Sequence, residues 1–185
     1  MAWIKVLEKT EADPMLNEIY TYIERRRGKL SNIMKVQSLD PRSIETHMEF
    51  YLSIMFSKKG LSRVEREMIG VVVSKINGCD YCVRHHAEAL FHYWKDRELV
   101  ELFAEDIETV ELPERVQAML AYVIKLTLTP AEVSEEDIDL LRGQGFSDKE
   151  ILNLNLTASY FNFANRVAQG LGVEFTEEEA RGYKY

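Results

Sequence analysis

The chain has 185 residues, 46% of them hydrophobic, which is enough for one domain with a substantial core and too few to argue for two. Thirty-one acidic against 23 basic residues leave a net charge of −8, which repels phosphate backbones and anionic lipid surfaces and argues against nucleic acid or membrane as partners. Residues 1–8 lack the apolar stretch of a secretory leader and no run of 18 apolar residues occurs, so a cytoplasmic protein is expected.

Strand signals are almost absent and helix signals are frequent, which predicts an all-α fold. Helices are expected near 14–27, 41–57, 63–77, 80–94, 97–104, 113–127, 134–143 and 148–169 within a single domain spanning 1–185. Its parts are an N-terminal extension over about 1–40, a motif core over about 61–94 and a C-terminal helical half over about 112–173. The basic run Arg25-Arg26-Arg27 beside Glu24 reads as a solvated helix end without function. Asp40-Pro41 and Leu112-Pro113 place proline where a first turn accepts it, and capping-box patterns open at Ser62, Thr129 and Ser147. His47 has no identifiable chemical partner, and Phe50, Tyr51, Met55, Phe56, Tyr160, Phe161 and Phe163 read as core or subunit interface. Gly60, Gly78, Gly143-Gln144-Gly145 and Gly170-Leu171-Gly172 fall where helices should stop. The openings Leu61 to Glu65 and Phe146 to Glu150 echo one another, a likeness that shared capping chemistry explains better than duplication does.

Val64, Met68, Ile69, Val71, Val72, Val73 and Ile76 cover well over half the circumference of the 63–77 helix, which predicts burial on several sides. Its remaining stripe, Glu67, Gly70 and Ser74, is small and polar and lets another helix approach closely. The two cysteines of the chain follow in Cys79-Asp80-Tyr81-Cys82, with His86 four residues after the second. On a helix these three side chains share one face. Glu67 joins them if the chain reverses at Asn77-Gly78. Counted from that turn, the heights of Glu67 and His86 differ by only about 4–5 Å at ~1.5 Å per residue.

A helix N-terminus and an imidazole both lower a thiol's pKa, so the pattern suits redox chemistry. His86 can take the proton of Cys82, Glu67 can orient His86, and the second cysteine can trap an oxidised sulfur as a disulfide. Zinc held by Cys79, Cys82 and His86, with or without His92, is the competing reading, but the chain carries no second cysteine pair to close a structural site. A thioredoxin fold is disfavoured because no strand precedes Cys79. An inert core pair is disfavoured by the polar neighbours Asp80, Arg84, His85 and Glu88. His85 lies off the Cys82/His86 stripe and reads as a solvated or interface histidine.

At Glu67, Asn77-Gly78-Cys79-Asp80-Tyr81-Cys82 and His86 the chain resembles the alkylhydroperoxidase D (AhpD)-like family within the carboxymuconolactone decarboxylase superfamily. The segment Asn162 to Ala168, followed by Gly170-Leu171-Gly172-Val173, resembles the C-terminal signature of its longer peroxidase-related branch. The resemblance implies an all-α fold assembled as a homo-oligomer, trimer or hexamer, and thiol-dependent reduction of organic hydroperoxides with no bound cofactor. It implies Cys82 as the peroxidatic cysteine, Cys79 as its disulfide partner, Glu67 and His86 as the proton relay, and a dithiol or disulfide reductase as electron donor. The chain departs from the pattern at Tyr81, where the family's peroxidases carry a relay histidine; tyrosine, with a pKa near 10, is a poor base at neutral pH. The alternatives are a dithiol–disulfide oxidoreductase with little peroxide activity, and a non-enzymatic metal-binding or redox-sensing module.

Overall fold

The computed structural model describes residues 2–58 and 60–184, and among these the chain is helical without strands. The helices are α1 (Pro14–Arg27), α2 (Asn32–Lys35), α3 (Pro41–Met55), α4 (Arg63–Ile76), α5 (Asp80–Trp94), α6 (Arg97–Glu105), α7 (Glu114–Leu128), α8 (Glu135–Gly143) and α9 (Asp148–Gly170). All eight predicted helices are present. The four-residue α2 and two 3-10 turns, Ile107–Thr109 and Pro130–Glu132, carry too little periodicity to be read in advance.

The caps explain where the helices begin. Asp13 accepts the Leu16 N–H at 2.8 Å with Pro14 in the first turn. Ser62 with Glu65 and Ser147 with Glu150 form complete capping boxes at the starts of α4 and α9. The expected start at Thr129 is only the 3-10 turn, because the working box lies five residues on, at Ser134 and Asp137. Arg115 of α7 spans two of these boxes, with Nη1 on Glu65 and Nη2 on Glu150 at 2.8 Å, and so ties the first turns of α4 and α9 together.

Helix α4 runs through the middle of the molecule against α5, α7 and α9. Every residue from Arg66 to Ser74 is buried, as the nearly continuous apolar surface predicts. Ile69, Val71, Val123 and Leu154 are wholly enclosed, each worth about 1.5–3 kcal/mol of transfer free energy. A second apolar cluster joins Leu16, Ile19, Tyr20 and Ile23 of α1 to Ile44 and Met48 of α3. Beyond α9 the chain returns across α1 and α2, where the Lys184 N–H donates to the Arg27 carbonyl at 2.7 Å. Glu179 in this returning segment accepts the Asn32 N–H at 2.6 Å.

Candidate active site

The reversal between α4 and α5 is made by Asn77-Gly78. Gly78 sits at φ +66°, in the left-handed region that favours glycine. The Cys79 N–H then donates to the Ser74 carbonyl at 2.8 Å, and Cys79 becomes the N-cap of α5. The hairpin puts α5 directly beside the Glu67, Gly70 and Ser74 stripe. At Gly70 a Cβ atom would lie 2.8 Å from Phe161 Cζ and 2.9 Å from His86 Cγ, so the absence of a side chain there allows α4, α5 and α9 to meet.

Glu67, with 0% of its surface exposed, holds His86 Nδ1 at 2.6 Å on one oxygen and Arg63 Nε at 2.7 Å on the other. Burial alone would raise this carboxyl, but Arg63 and His86 together hold it below the ordinary carboxylate range. With Glu67 ionised, His86 Nδ1 carries the hydrogen and Nε2 is left as the basic nitrogen. The imidazole stands edge-on to Phe161, with ring centres 4.5 Å apart.

The cysteines are both reduced, with Sγ atoms 2.9 Å apart and exposures of 2% and 3%. Cys79 is pulled below the ordinary thiol range by the hydrogen bond from the Cys82 thiol, against the effect of burial and with help from the Cys82 N–H and the Asn165 amide. The same donation to Cys79, together with burial, pushes the Cys82 thiol up. A net of amides backs the pair. Asn165 donates to Ser74 Oγ at 3.0 Å and accepts from Asn77 Nδ2 at 2.9 Å, Asn77 also reaches Asn162 Oδ1 at 3.1 Å, and Gln169 donates to the Asn77 carbonyl at 2.8 Å. Asn162 and Asn165 of α9 lie in the C-terminal signature read from the sequence.

A cavity of ≈ 80 Å³ opens onto Cys82, His86 and Glu67, with Arg27, His85 and Tyr183 also on its wall; Cys79 lies behind Cys82 and does not border it. The four candidate residues Glu67, Cys79, Cys82 and His86 are thus brought together. Tyr81 takes no part in their hydrogen bonds: its hydroxyl donates to Glu179 Oε1 at 2.9 Å and accepts the Ile33 N–H at 3.3 Å, anchoring the C-terminal segment instead.

Several expectations are corrected. Arg27 is not a solvated helix end but a buried residue on the cavity wall, and His85, expected in solvent or at an interface, borders the same cavity. His47 has partners after all, with Nε2 on the Tyr160 hydroxyl at 2.8 Å and Nδ1 on Gln37. Arg63 was missed although its spacing, four residues before Glu67, is that of a helical ion pair. Among the described residues no three His, Cys, Asp or Glu side chains converge as a metal site.

The sequence matches the carboxymuconolactone decarboxylase family over residues 41–125. The structure resembles that of a peroxidase-related protein with an alkylhydroperoxidase AhpD core from Ralstonia eutropha JMP134, at 26% identity and TM-score 0.87 over 99% of this chain and 98% of that one. It also resembles a peroxidase-related protein from Silicibacter sp. TM1040, at 28% identity and TM-score 0.86 over 99% of this chain and 96% of that one. The debrominase Bmp8 shares the fold at 20% identity and TM-score 0.78 over 94% of this chain and 92% of that one. One fold thus carries more than one chemistry. No curated protein gives a significant match.

Proposed function

The chain is an AhpD-like member of the carboxymuconolactone decarboxylase superfamily, and on that premise we propose that it is a thiol peroxidase that reduces organic hydroperoxides to alcohols. The observation that carries this reading is the placement of Cys82, His86 and Glu67 on one cavity, with the Cys79 sulfur 2.9 Å behind Cys82.

In the proposed reaction His86 takes the Cys82 proton while Glu67 stabilises the resulting imidazolium. The Cys82 thiolate attacks the terminal peroxide oxygen. An S–O bond forms, the O–O bond breaks, and the departing alkoxide takes the proton from His86 and leaves as the alcohol. Cys82 is then a sulfenic acid. The Cys79 sulfur displaces its hydroxyl, which takes up the Cys79 proton and leaves as water, giving a Cys79–Cys82 disulfide. For that bond the sulfurs close from 2.9 Å to about 2.05 Å. A dithiol donor restores both thiols by exchange.

The test is stopped-flow consumption of an organic hydroperoxide by reduced protein, with disulfide formation followed by mass spectrometry. Wild type should consume the peroxide and form the Cys79–Cys82 disulfide, and Cys82→Ser should do neither. Turnover unchanged in Cys82→Ser would refute the reading.

A second reading, dithiol–disulfide exchange, draws support from the lowering of the Cys79 pKa by its hydrogen bond with Cys82. It requires exchange with a small disulfide to outpace peroxide turnover in the same protein. A homo-oligomer is proposed as well, since Leu128, Leu140, Leu152 and Phe163 expose large apolar surface. Light-scattering mass equal to a monomer at all concentrations would count against it.

A further inference from the structure

Arg27 ends α1 after two exposed arginines, yet only 6% of it is exposed and it borders the thiol cavity. Its guanidinium carbon lies 4.6 Å from the ring centre of Phe56, 5.3 Å from that of Tyr51 and 5.7 Å from that of Tyr183. Nη1 donates to the Lys184 carbonyl. The faces of these rings attract the cation, but a ring face offers no acceptor lone pair to the five N–H groups that lie in the guanidinium plane.

The other cations around the cavity are matched. Arg63 is paired with Glu67, which also holds His86 Nδ1, and Lys29 stands 3.7 Å from Glu179. Among the described residues no carboxylate pairs with Arg27. In a chain of net charge −8, the thiol cavity is therefore a place where one buried positive charge stands in excess.

A second group on the same wall lacks a partner. His85 Nε2 is buried and makes no hydrogen bond among the described residues, its neighbouring carboxylate oxygen on Glu179 being 3.7 Å away. Burial, followed by the charges of His86, Lys29 and Arg27, holds His85 down to about 3, so it is neutral at pH 7. In the tautomer protonated at Nε2 it can donate a hydrogen bond to an anion.

We infer that Arg27, with His85, forms a carboxylate-binding subsite in the thiol cavity, and that the hydroperoxide reduced at Cys82 carries a carboxylate. A guanidinium edge matches the two oxygens of a carboxylate, and a desolvated wall strengthens that contact. The carboxylate undergoes no bond change; it orients the peroxide end toward Cys82. The choice of substrate rests on the peroxidase reading, whereas the subsite itself can be tested without turnover.

The experiment is calorimetric titration of the reduced protein with hexanoate and, separately, with hexanamide, which has the same shape and no charge. Hexanoate should bind at least about tenfold more tightly, the advantage expected when a charged partner completes hydrogen bonds to buried donors. The advantage should fall below about threefold in Arg27→Gln and survive in part in Arg27→Lys. Equal binding of acid and amide by wild type, or no binding of either, overturns the subsite, and this comparison holds even if the variants fail to fold. A preference undiminished in a folded Arg27→Gln also overturns it.

A kinetic arm separates the two readings. A hydroperoxy acid should be reduced with kcat/KM about tenfold above that of its methyl ester. Equal rates overturn the substrate assignment and leave the peroxidase reading standing. No reduction of either, alongside selective hexanoate binding, overturns the peroxidase reading and supports the subsite.

Discussion

Glu67 is the residue on which most of the site's charge depends, since one buried carboxylate serves Arg63 and His86 together. Glu67→Gln keeps the volume but leaves Arg63 without its anion, and should lower unfolding free energy by roughly 3–5 kcal/mol in denaturant titration. Because the folded-state pKa of Glu67 is depressed, its contribution is present above the ordinary carboxylate value and is lost as pH falls through the lower folded value. The cysteine pair permits a sharper test. The hydrogen bond from the Cys82 thiol is the main reason that Cys79 ionises early, so Cys82→Ala should raise the pKa of Cys79, read as an alkaline shift in its rate of alkylation by iodoacetamide. An unshifted profile would mean that the helix N-terminus alone sets the acidity of Cys79.

Between the helices, the decisive contact is at Gly70. Alanine there gains about 1 kcal/mol of helix propensity, but its Cβ would press on His86 and Phe161 at under 3 Å, a clash of the kind that costs about 1–3 kcal/mol. Gly70→Ala should therefore lie between neutral and about 2 kcal/mol destabilising by denaturant titration, with a larger fractional loss of peroxide reduction, because His86 must move away from Glu67. The same hairpin explains what could be read in advance. Glu67, Cys79, Cys82 and His86 lie within twenty residues, and one Asn-Gly turn brings them together, so helical spacing is enough to find them. Arg27, Tyr183 and Glu179 reach the site only through the packing of α1 and the C-terminal segment, and no local period records that. Ser62 and Ser147 announced their helices because a capping box is a local device, whereas Thr129 carried the same letters without the helical continuation.

For the molecule as a whole, acid is the condition that the structure resists least. His47 is buried and held down to about 4, so between pH 6.5 and about 4 the unfolded chain binds a proton that the folded chain refuses. Stability is full above that window and falls on descending through it, by roughly 3 kcal/mol from His47 alone, and His85 adds in the same direction. Denaturant titrations at pH 7 and pH 4.5 should show the fall, and His47→Gln, which can still bond Tyr160, should show a smaller one. Equal wild-type stability at the two pH values would contradict this account. The burial of the two sulfurs, 2% and 3% exposed beneath α2 and the returning C-terminal segment, has a consequence for traffic into the protein. Disulfide exchange requires a thiolate to approach along the S–S axis. Sulfurs this enclosed leave little room for a thiol carried on the broad surface of a folded reductase. In the proposed peroxidase cycle the donor would therefore be slender, a dithiol arm or a small free dithiol, so its shape is limited before its identity is known.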